Sequence, residues 1–310
     1  MTDLLTIGET MVSLRTARPM RLGGDAHLSI AGSESNVAIG LSRLGHQAVW
    51  LGAVGNDEPG RLIQRTLRAE AVDTSWLRFS DESFTGFIAF DQPSHDITRV
   101  SYHRRGSAGS TLTSEECLTA LQATSPRLLH VTGITPALSD STHAATLDVV
   151  RAAAESDVRV SLDVNYRARL WSRTEATALR ELLPFVHTVF ASDDELDILT
   201  DASEPVRDLL VNGISEVVVT AGGKGAWAHS ADSTIHRPAL PVTVVDSIGA
   251  GDAFVSGYLS ATLDNLSPEH RLDRATTSGA FCVTALGDWE SLPTRPDLTL
   301  LTQSQGTALR

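Results

Sequence analysis

The sequence has few cysteines, few aromatic residues and a deficit of positive charge. Its two cysteines, Cys117 and Cys282, are far apart and lack nearby histidines, which argues against a disulfide framework or a cysteine-based metal site. Lys and Arg total 25 against 38 for Asp and Glu, giving a net charge of -13. A broad surface for nucleic acid or an anionic membrane is therefore excluded. Any anionic ligand must be held by a few well-placed cations and backbone amides.

Long hydrophobic runs are also missing. No stretch approaches the ~18 apolar residues that a membrane-spanning helix needs. The first residues, MTDLLTIGET, lack the basic start and apolar segment of a signal peptide. We therefore expect a cytoplasmic protein with no membrane partner, whose two cysteines are buried thiols in a reducing compartment.

Short β-branched runs alternate with helical segments along most of the chain. LLTIGE and AVWLGAVG are typical strands, SNVAIGLSRLG is typical of a buried helix, and further helices are predicted over residues 57–70 and 141–155. The alternation predicts βαβ units and an α/β fold, with a mostly parallel sheet covered on both faces. The later predicted strands cover residues 128–133, 158–165, 188–192, 216–222 and 242–246.

Two stretches break this alternation. Residues 11–31 and 84–104 contain no predicted helix, and the second reads as two strands around a polar turn. We expect them to form one small sheet that stands off the main layer. The predicted main domain then comprises residues 1–10, 32–83 and 105–310, and a hairpin within it is expected over residues 225–239.

The stretch VVDSIGAGDAFVSG contains a helix start exposed to a ligand. It follows the predicted strand at 242–246, and open α/β sheets bind ligands at the carboxyl ends of their strands. Gly249 and Gly251 leave backbone N–H groups accessible at a helix beginning near Ala250, which suits a phosphate. The P-loop pattern and the third glycine of a dinucleotide fingerprint are absent, which disfavours a dinucleotide-dependent oxidoreductase. Taken alone, Asp252 reads as an ordinary acid in a first helical turn.

Several segments together resemble one enzyme family. DSIGAGDAFVSGY resembles the signature of the ribokinase-like (pfkB) carbohydrate kinases, and AGSESNVAIGLSRLG with GAVGNDEPG resembles their N-terminal signature. SDDEL resembles their Asn/Ser-x-x-Glu element, and TAGGKGA resembles their nucleotide-side loop. The segments follow the family's order over nearly the whole chain. The resemblance implies a three-layer α/β/α domain, a small β-sheet lid, and phosphoryl transfer from ATP with Mg²⁺.

The resemblance also implies roles for individual residues. Asp252 would take the proton of the sugar hydroxyl, and the amides of Gly249, Ala250 and Gly251 would hold charge on the transferring phosphoryl group. Glu195 would position Mg²⁺, mainly through water, although SDDEL by itself reads as a capping box with Ser192 and Glu195 in a first helical turn. The implied nucleotide contacts are Ser192, Glu195, Thr220, Gly222, Gly223, Gly225, Gly249 and Gly251. A monovalent-cation site for K⁺ would use Asp246, Ile248, Thr284, Gly287 and Ser291.

Two arginines point to an acidic sugar. Tyr102 and Arg104 share one face of a predicted strand, and Arg167 follows the end of another. Each arginine could form an ordinary ion pair, but a guanidinium also grips a carboxylate bidentately. RVSYHRRGSAGS, LLHVTGITPAL and DVNYRARLW resemble the branch that phosphorylates 2-keto-3-deoxygluconate. The substrate contacts implied are Gly32, Asn36, Tyr102, Arg104, Arg167, Asp252 and Asp288.

The sequence departs from that branch at two positions. His103 replaces a tyrosine, and Ile88 stands where relatives often place an aromatic residue that lines the sugar. The second change removes a hydroxyl contact, so the C4 epimer of the sugar acid is an expected second substrate.

The resulting hypothesis is ATP-dependent phosphorylation of 2-keto-3-deoxygluconate to its 6-phosphate, for aldol cleavage in an Entner–Doudoroff-type pathway. The resemblance also predicts a homo-oligomer formed through the lid sheet. Two alternatives stay open, a kinase for a neutral sugar such as fructose or ribose, and a non-catalytic sugar-acid-binding protein on the same fold.

Overall fold

The computed structural model describes residues 2–94 and 97–302, so residue 1 and residues 303–310 of the predicted main domain lie outside it, as do residues 95–96 of the predicted small sheet. The strands are β1 (Leu4–Ile7), β2 (Met11–Arg15), β3 (His27–Ala31), β4 (Ala48–Gly55), β5 (Leu77–Ser80), β6 (Phe87–Ser94), β7 (Ile97–His103), β8 (Leu128–Thr132), β9 (Arg159–Asp163), β10 (Thr188–Ser192), β11 (Glu216–Thr220), β12 (Ala226–His229) and β13 (Thr234–Arg237). The helices are α1 (Ser33–Arg43), α2 (Glu58–Ala69), α3 (Ser114–Thr124), α4 (Asp140–Glu155), α5 (Arg173–Ala176), α6 (Leu196–Leu199), α7 (Pro205–Val211), α8 (Ala250–Leu263) and α9 (Pro268–Cys282).

The main sheet runs in the order β13-β12-β11-β10-β9-β8-β1-β4-β5. The pairs from β11 to β5 are parallel, and the two pairs at the opposite edge, β11–β12 and β12–β13, are antiparallel. Successive side chains of a strand point to opposite faces, so Leu5 and Ile7 join one buried cluster while Leu4 joins the other. The prediction of a mostly parallel sheet covered on both faces is confirmed.

A second, four-stranded sheet runs in the order β3-β2-β6-β7. Its strands fall within the two segments predicted for it, and the first segment also holds a short 3₁₀ turn, Met20–Leu22. Strand β2 pairs with β6 in parallel, and the other two pairs are antiparallel. The chain therefore passes between the two sheets four times. Closure of this small sheet as a lid stays a prediction.

The predicted helices over 57–70 and 141–155 are confirmed as α2 and α4, and the hairpin over 225–239 as β12 and β13. Both cysteines are free and buried, as expected. In the described part of the chain no helix combines the length and hydrophobicity needed to cross a bilayer.

The strand predicted over residues 242–246 is wrong. Val244 and Val245 are 63% and 52% exposed, and the Val245 N–H donates to the Val283 carbonyl rather than to a neighbouring strand. The β-branched run crosses the surface before α8 and pairs with none of the strands described. A β-branched run marks a strand only where a partner strand is available.

A matched pair of substitutions tests this difference. Val218→Ala removes buried methyl groups from β11, where Val218 is fully buried. It should lower the free energy of unfolding by about 2 kcal/mol. Val244→Ala should change that free energy by less than about 0.5 kcal/mol, as expected for an exposed site. Urea unfolding followed by circular dichroism measures both, and equal losses would contradict the surface placement of Val244.

Candidate active site

A cleft of about 410 Å³ opens between the carboxyl edge of the main sheet and the inner face of the small sheet. Residues just beyond β1, β8 and β9 line it, as do the ends of β10 and β11. Because these five strands are parallel, their carboxyl ends share one edge, the usual ligand edge of an open α/β sheet. The small sheet contributes a mostly apolar wall that includes Met11, Ile88 and Phe90.

Helix α8 begins at the cleft. Gly249, its N-cap, has a left-handed φ of 76°, and a Cβ there would lie 2.0 Å from the Asp288 carbonyl oxygen. Only glycine fits this turn. Gly249 and Gly251 line the cleft, and the first N–H groups of a helix have no intrahelical acceptor. Ala250 does not line the cleft, and its N–H already makes a long contact of 3.4 Å with the Ser247 carbonyl.

The Asp252 carboxylate is buried in a ring of donors. Ser33 Oγ donates to Oδ1 at 2.6 Å, and Asn36 Nδ2 donates to Oδ2 at 2.8 Å. Asn165 Nδ2 lies 3.4 Å from Oδ1. Burial raises the pKa of Asp252, and these hydrogen bonds oppose that rise because they favour the ionised form. The carboxylate is thereby held in one orientation at the cleft.

Two glycines of the N-terminal signature position these donors. Helix α1 starts at the cleft beside α8, and at Gly40 a Cβ would lie 2.4 Å from Ser256 Oγ on α8. The absence of that Cβ lets the two helices approach closely. Gly32, the N-cap of α1, is equally confined, since a Cβ there would lie 2.6 Å from the Glu9 carbonyl oxygen. Two helix N-termini thus face one cleft, which favours an anionic ligand.

Asp163 and Asn165 extend the polar ring behind Asp252. Asn165 adopts a left-handed φ of 42° and donates from Nδ2 to Asp163 Oδ2 at 2.9 Å and to Ser33 Oγ at 3.0 Å. Burial, with added repulsion from Glu195 and Asp252, raises the pKa of Asp163 to about 8. The raised pKa favours the neutral form of Asp163, which limits the negative charge in the cleft.

The SDDEL segment differs from the local prediction. Ser192 is the last residue of β10, and Glu195 is the N-cap of the four-residue helix α6, so the helix begins three residues later than the pattern predicts. Glu195 Oε2 accepts the Ser192 N–H at 2.8 Å, and Oε1 accepts the Tyr166 N–H at 2.7 Å. The carboxylate therefore joins the loops after β9 and β10. The capping-box pattern could not indicate the Tyr166 donor, because that residue lies in another loop.

The predicted nucleotide side lies next to this carboxylate. Ser192, Glu195 and Thr220 line the cleft, whereas the 3₁₀ turn Gly222–Lys224 and Gly225 lie beyond its lining. Within the described residues, no three His, Cys, Asp or Glu side chains converge closely enough to hold a metal ion alone. Glu195 suits Mg²⁺, which takes one or two carboxylates together with nucleotide phosphates and water.

The two predicted acid-binding arginines have different environments. Arg104 lines the cleft but is already paired, with Nε 2.6 Å from Glu9 Oε2. Arg167 also lines the cleft, is exposed, and has no carboxylate within ion-pair distance among the residues described. Arg167 is close enough to lower the pKa values of Asp163 and Asp252 by charge attraction. It is thus a cation of the cleft whose charge no carboxylate of the described residues neutralises.

Asp288 closes the sugar end of the predicted site. It lines the cleft and is 8% exposed. Burial, with repulsion from Asp252 and Glu290, raises the pKa of Asp288 to about 7. A carboxyl group near its pKa at neutral pH can both donate and accept hydrogen bonds to sugar hydroxyls.

The residues predicted for a monovalent cation have polar side chains that are already engaged with other groups, so the K⁺ site stays a prediction. Arg15 Nη1 lies 2.9 Å from Asp246 Oδ2, so a guanidinium already neutralises the one carboxylate of the set. Ser291 Oγ donates to the Cys282 carbonyl at 2.9 Å, and Thr284 Oγ1 donates to the Phe281 carbonyl at 2.7 Å. Of the predicted five, which also include Ile248 and Gly287, only Ile248 lines the cleft.

The cleft therefore brings together most of the predicted site. Sequence reasoning did not single out Glu9 or Ser33, although both border predicted elements at the carboxyl edge of the sheet. The predicted residues that line the cleft are Gly32, Asn36, Tyr102, Arg104, Arg167, Ser192, Glu195, Thr220, Ile248, Gly249, Gly251, Asp252 and Asp288.

Comparisons with known proteins show the family and the fold to which this chain is similar. The model of the pfkB family carbohydrate kinases matches residues 1–295. The chain is 35% identical to 2-dehydro-3-deoxygluconokinase from Bacillus subtilis (strain 168), over 98% of this chain and 97% of the relative. It is 32% identical to 2-dehydro-3-deoxygalactonokinase from Haloferax volcanii, over 92% of each. A ribokinase II structure from E. coli, in complex with ATP and Mg²⁺, has a TM-score of 0.89 at 22% identity, covering 97% of this chain and 99% of that one.

The donors around Asp252 make a testable prediction. Ser33→Ala removes a hydrogen bond that favours the ionised carboxylate, so it should raise the pKa of Asp252. Loss of about 1.5 kcal/mol for a bond to a charged group corresponds to about one pKa unit. Carbon-13 NMR titration of the labelled aspartate carboxyls measures the shift. Ser35→Ala is the control, because Ser35 Oγ donates to the Gly32 carbonyl instead. An unchanged pKa in Ser33→Ala would contradict this role.

Proposed function

Since this chain belongs to the pfkB family of carbohydrate kinases, we propose that it phosphorylates 2-keto-3-deoxygluconate (2-dehydro-3-deoxygluconate) at its primary hydroxyl with ATP. The observation that carries the proposal is the pairing of two groups in one cleft, the oriented Asp252 carboxylate and the unpaired Arg167 guanidinium. The first suits a hydroxyl that must lose a proton, and the second suits the carboxylate of a sugar acid.

In the proposed reaction, Asp252 accepts a hydrogen bond from the sugar hydroxyl and takes its proton as the oxygen bonds to the γ-phosphorus. The bond from that phosphorus to the ADP oxygen breaks in line with the attack. The N–H groups at the start of α8, including that of Gly251, stabilise charge on the phosphoryl oxygens. Phosphoryl transfer asks mainly for such positioning, so a carboxylate is a sufficient base.

Three further groups support this chemistry. Ser33 and Asn36 hold the Asp252 carboxylate in place. Glu195 would hold Mg²⁺ together with the nucleotide phosphates, and the ion would neutralise phosphate charge there. The ATP and Mg²⁺ complex of the E. coli structure supports this choice of cofactors. Closure of the small sheet over the sugar would exclude water and so limit ATP hydrolysis.

The galactonate-type epimer is a second candidate substrate. Ile88 lines the cleft, is 5% exposed, and offers no hydrogen bond that would discriminate between hydroxyl positions. The similarity to a 2-dehydro-3-deoxygalactonokinase agrees with this tolerance.

We also keep three finer proposals. The small sheet would pair between subunits of a homo-oligomer, and exposed apolar side chains at or beside its edge support this, namely Met20, Leu22, Leu28 and Ile97. A cytoplasmic location rests on the two buried, unpaired cysteines. The K⁺ site is proposed on the sequence resemblance alone, because the Asp246 side chain already pairs with Arg15, and no step above depends on it.

A substrate panel tests the proposed activity. Wild-type enzyme with ATP should release ADP fastest with 2-keto-3-deoxygluconate, more slowly with its C4 epimer, and little with fructose or ribose.

Two variants test the proposed residue roles. Arg167→Ala should lower kcat/KM for the sugar acid by about 10- to 100-fold, the value of a charge-assisted hydrogen bond, and leave neutral-sugar turnover unchanged. Asp252→Asn should lower kcat for the sugar acid by about 10²- to 10⁴-fold.

Arg169→Ala is the control for Arg167→Ala, since Arg169 is an exposed neighbour outside the cleft lining. Faster wild-type turnover of fructose or ribose than of the sugar acid would favour the neutral-sugar kinase. Equal ADP release by wild type and Asp252→Asn would overturn the mechanism, and no release with any sugar would favour the binding protein.

The oligomer has its own test. Light scattering after gel filtration should give a multiple of the 33.1 kDa chain mass. Leu22→Glu combined with Leu28→Glu should reduce the mass to that of one chain, because charges cannot be buried in an apolar contact without a large cost. Val211→Glu, at an exposed valine on α7, is the control and should keep the wild-type mass. A monomeric wild type would refute the proposal.

A further inference from the structure

Glu9 is a buried carboxylate where the chain leaves the main sheet for the small one. It follows β1 by two residues and precedes β2, and its side chain is only 1% exposed. It lines the cleft but has no part in the mechanism above. Burying a carboxylate is costly unless it is fully paired, so its surroundings need explanation.

The partners of Glu9 come from where the chain leaves the small sheet. Arg104 directly follows β7, and its Nε and Nη2 lie 2.6 Å and 2.5 Å from Glu9 Oε2. Ser107 Oγ donates a short hydrogen bond to Glu9 Oε1. Both carboxylate oxygens therefore accept hydrogen bonds, and the Arg104 side chain is 7% exposed. The pair satisfies the conditions under which buried charges are tolerated.

Three glycines make room for Glu9. A Cβ on Gly86, just before β6, would lie 2.6 Å from Glu9 Oε1, and a Cβ on Gly109 would lie 2.4 Å from Glu9 Cγ. A Cβ on Gly32, just after β3, would lie 2.6 Å from the Glu9 carbonyl oxygen. All four passages between the two sheets thus meet at Glu9. Such confinement leaves the Glu9 carboxylate one position, and the Arg104 guanidinium that pairs with it is held in one position too.

This arrangement determines what Arg104 presents to the cleft. A guanidinium has five N–H groups; Glu9 accepts a hydrogen bond from Nε–H and forms an ion pair with Nη2. The N–H groups on Nη1 have no hydrogen-bond acceptor among the residues that the structure describes. The guanidinium carbon lies 5.9 Å from the centre of the Tyr102 ring, which also lines the cleft. A fixed donor group lowers the entropy lost when a ligand binds.

We propose that Glu9 is a positioning residue, which orients the Arg104 guanidinium so that its free N–H groups bind the oxygens of the sugar acid. This inference rests on the proposed function, because it assumes an anionic sugar in the cleft. Glu9 acts through Arg104 and touches neither the substrate nor the reacting atoms.

A double-mutant cycle tests the inference. Glu9→Gln keeps the shape of the side chain but removes its charge. It should raise KM for 2-keto-3-deoxygluconate at least tenfold and change kcat less than threefold, because ground-state binding is what it weakens. Arg104→Ala should raise KM at least as much. In the double variant KM should match that of Arg104→Ala within about twofold, since a residue that acts through another has no effect once that other is gone.

A control variant separates positioning from damage to the small sheet. Asp91→Asn removes the partner of Arg99, an exposed ion pair on the same β6–β7 hairpin. Its KM should equal the wild-type value, and thermal unfolding of every variant shows whether the fold persists. If Glu9→Gln lowers kcat, raises KM and also lowers Tm, its role is merely structural and the inference is overturned.

The remaining outcomes are distinct. If wild type phosphorylates the sugar acid and Glu9→Gln has the wild-type KM, the inference fails while the proposed function stands. Independent effects of the two substitutions on KM would also overturn it. If wild type phosphorylates only neutral sugars, the proposed function fails first and the inference fails with it.

Discussion

The Asp252 carboxylate is the group on which the arrangement of this protein depends. It is 7% exposed, and it stays oriented because Ser33 and Asn36 on the neighbouring helix donate to its two oxygens. That contact requires α1 and α8 to begin side by side, which Gly40 permits. The parallel sheet places both helix starts at one edge. One packing contact thus brings an oriented carboxylate and two helix N-termini to one cleft.

The charge of the cleft is set by burial and ion pairing of a few side chains rather than by the net charge of the chain. The chain has a net charge of -13, and yet its two proposed ligands, ATP and a sugar acid, are both anions. Burial raises the pKa of Asp163 to about 8 and of Asp288 to about 7, which favours the neutral forms of both carboxyls. Glu9 neutralises Arg104 and leaves Arg167 as the exposed cation. The cleft can attract an anion although the protein as a whole repels it.

One wrong and one incomplete local prediction have a common cause. Residues 242–246 have the composition of a strand, and SDDEL has the composition of a helix cap. In the structure the first has no partner strand, and Glu195 of the second accepts a hydrogen bond from Tyr166 in another loop. Secondary-structure propensity describes what a segment favours by itself, whereas the hydrogen-bond partners of that segment come from elsewhere in the chain.

The sequence by itself determined the alternation of strands and helices, the small second sheet, and the glycine-rich start of α8 with its acid. These features depend on backbone preference and side-chain period, which are read from neighbouring residues. Only the tertiary structure decided that Ser33 would contact Asp252, 219 residues away, and that Glu9 would be the counter-ion of Arg104. Such contacts depend on how the strands and helices pack against each other, and a local sequence pattern does not contain that information.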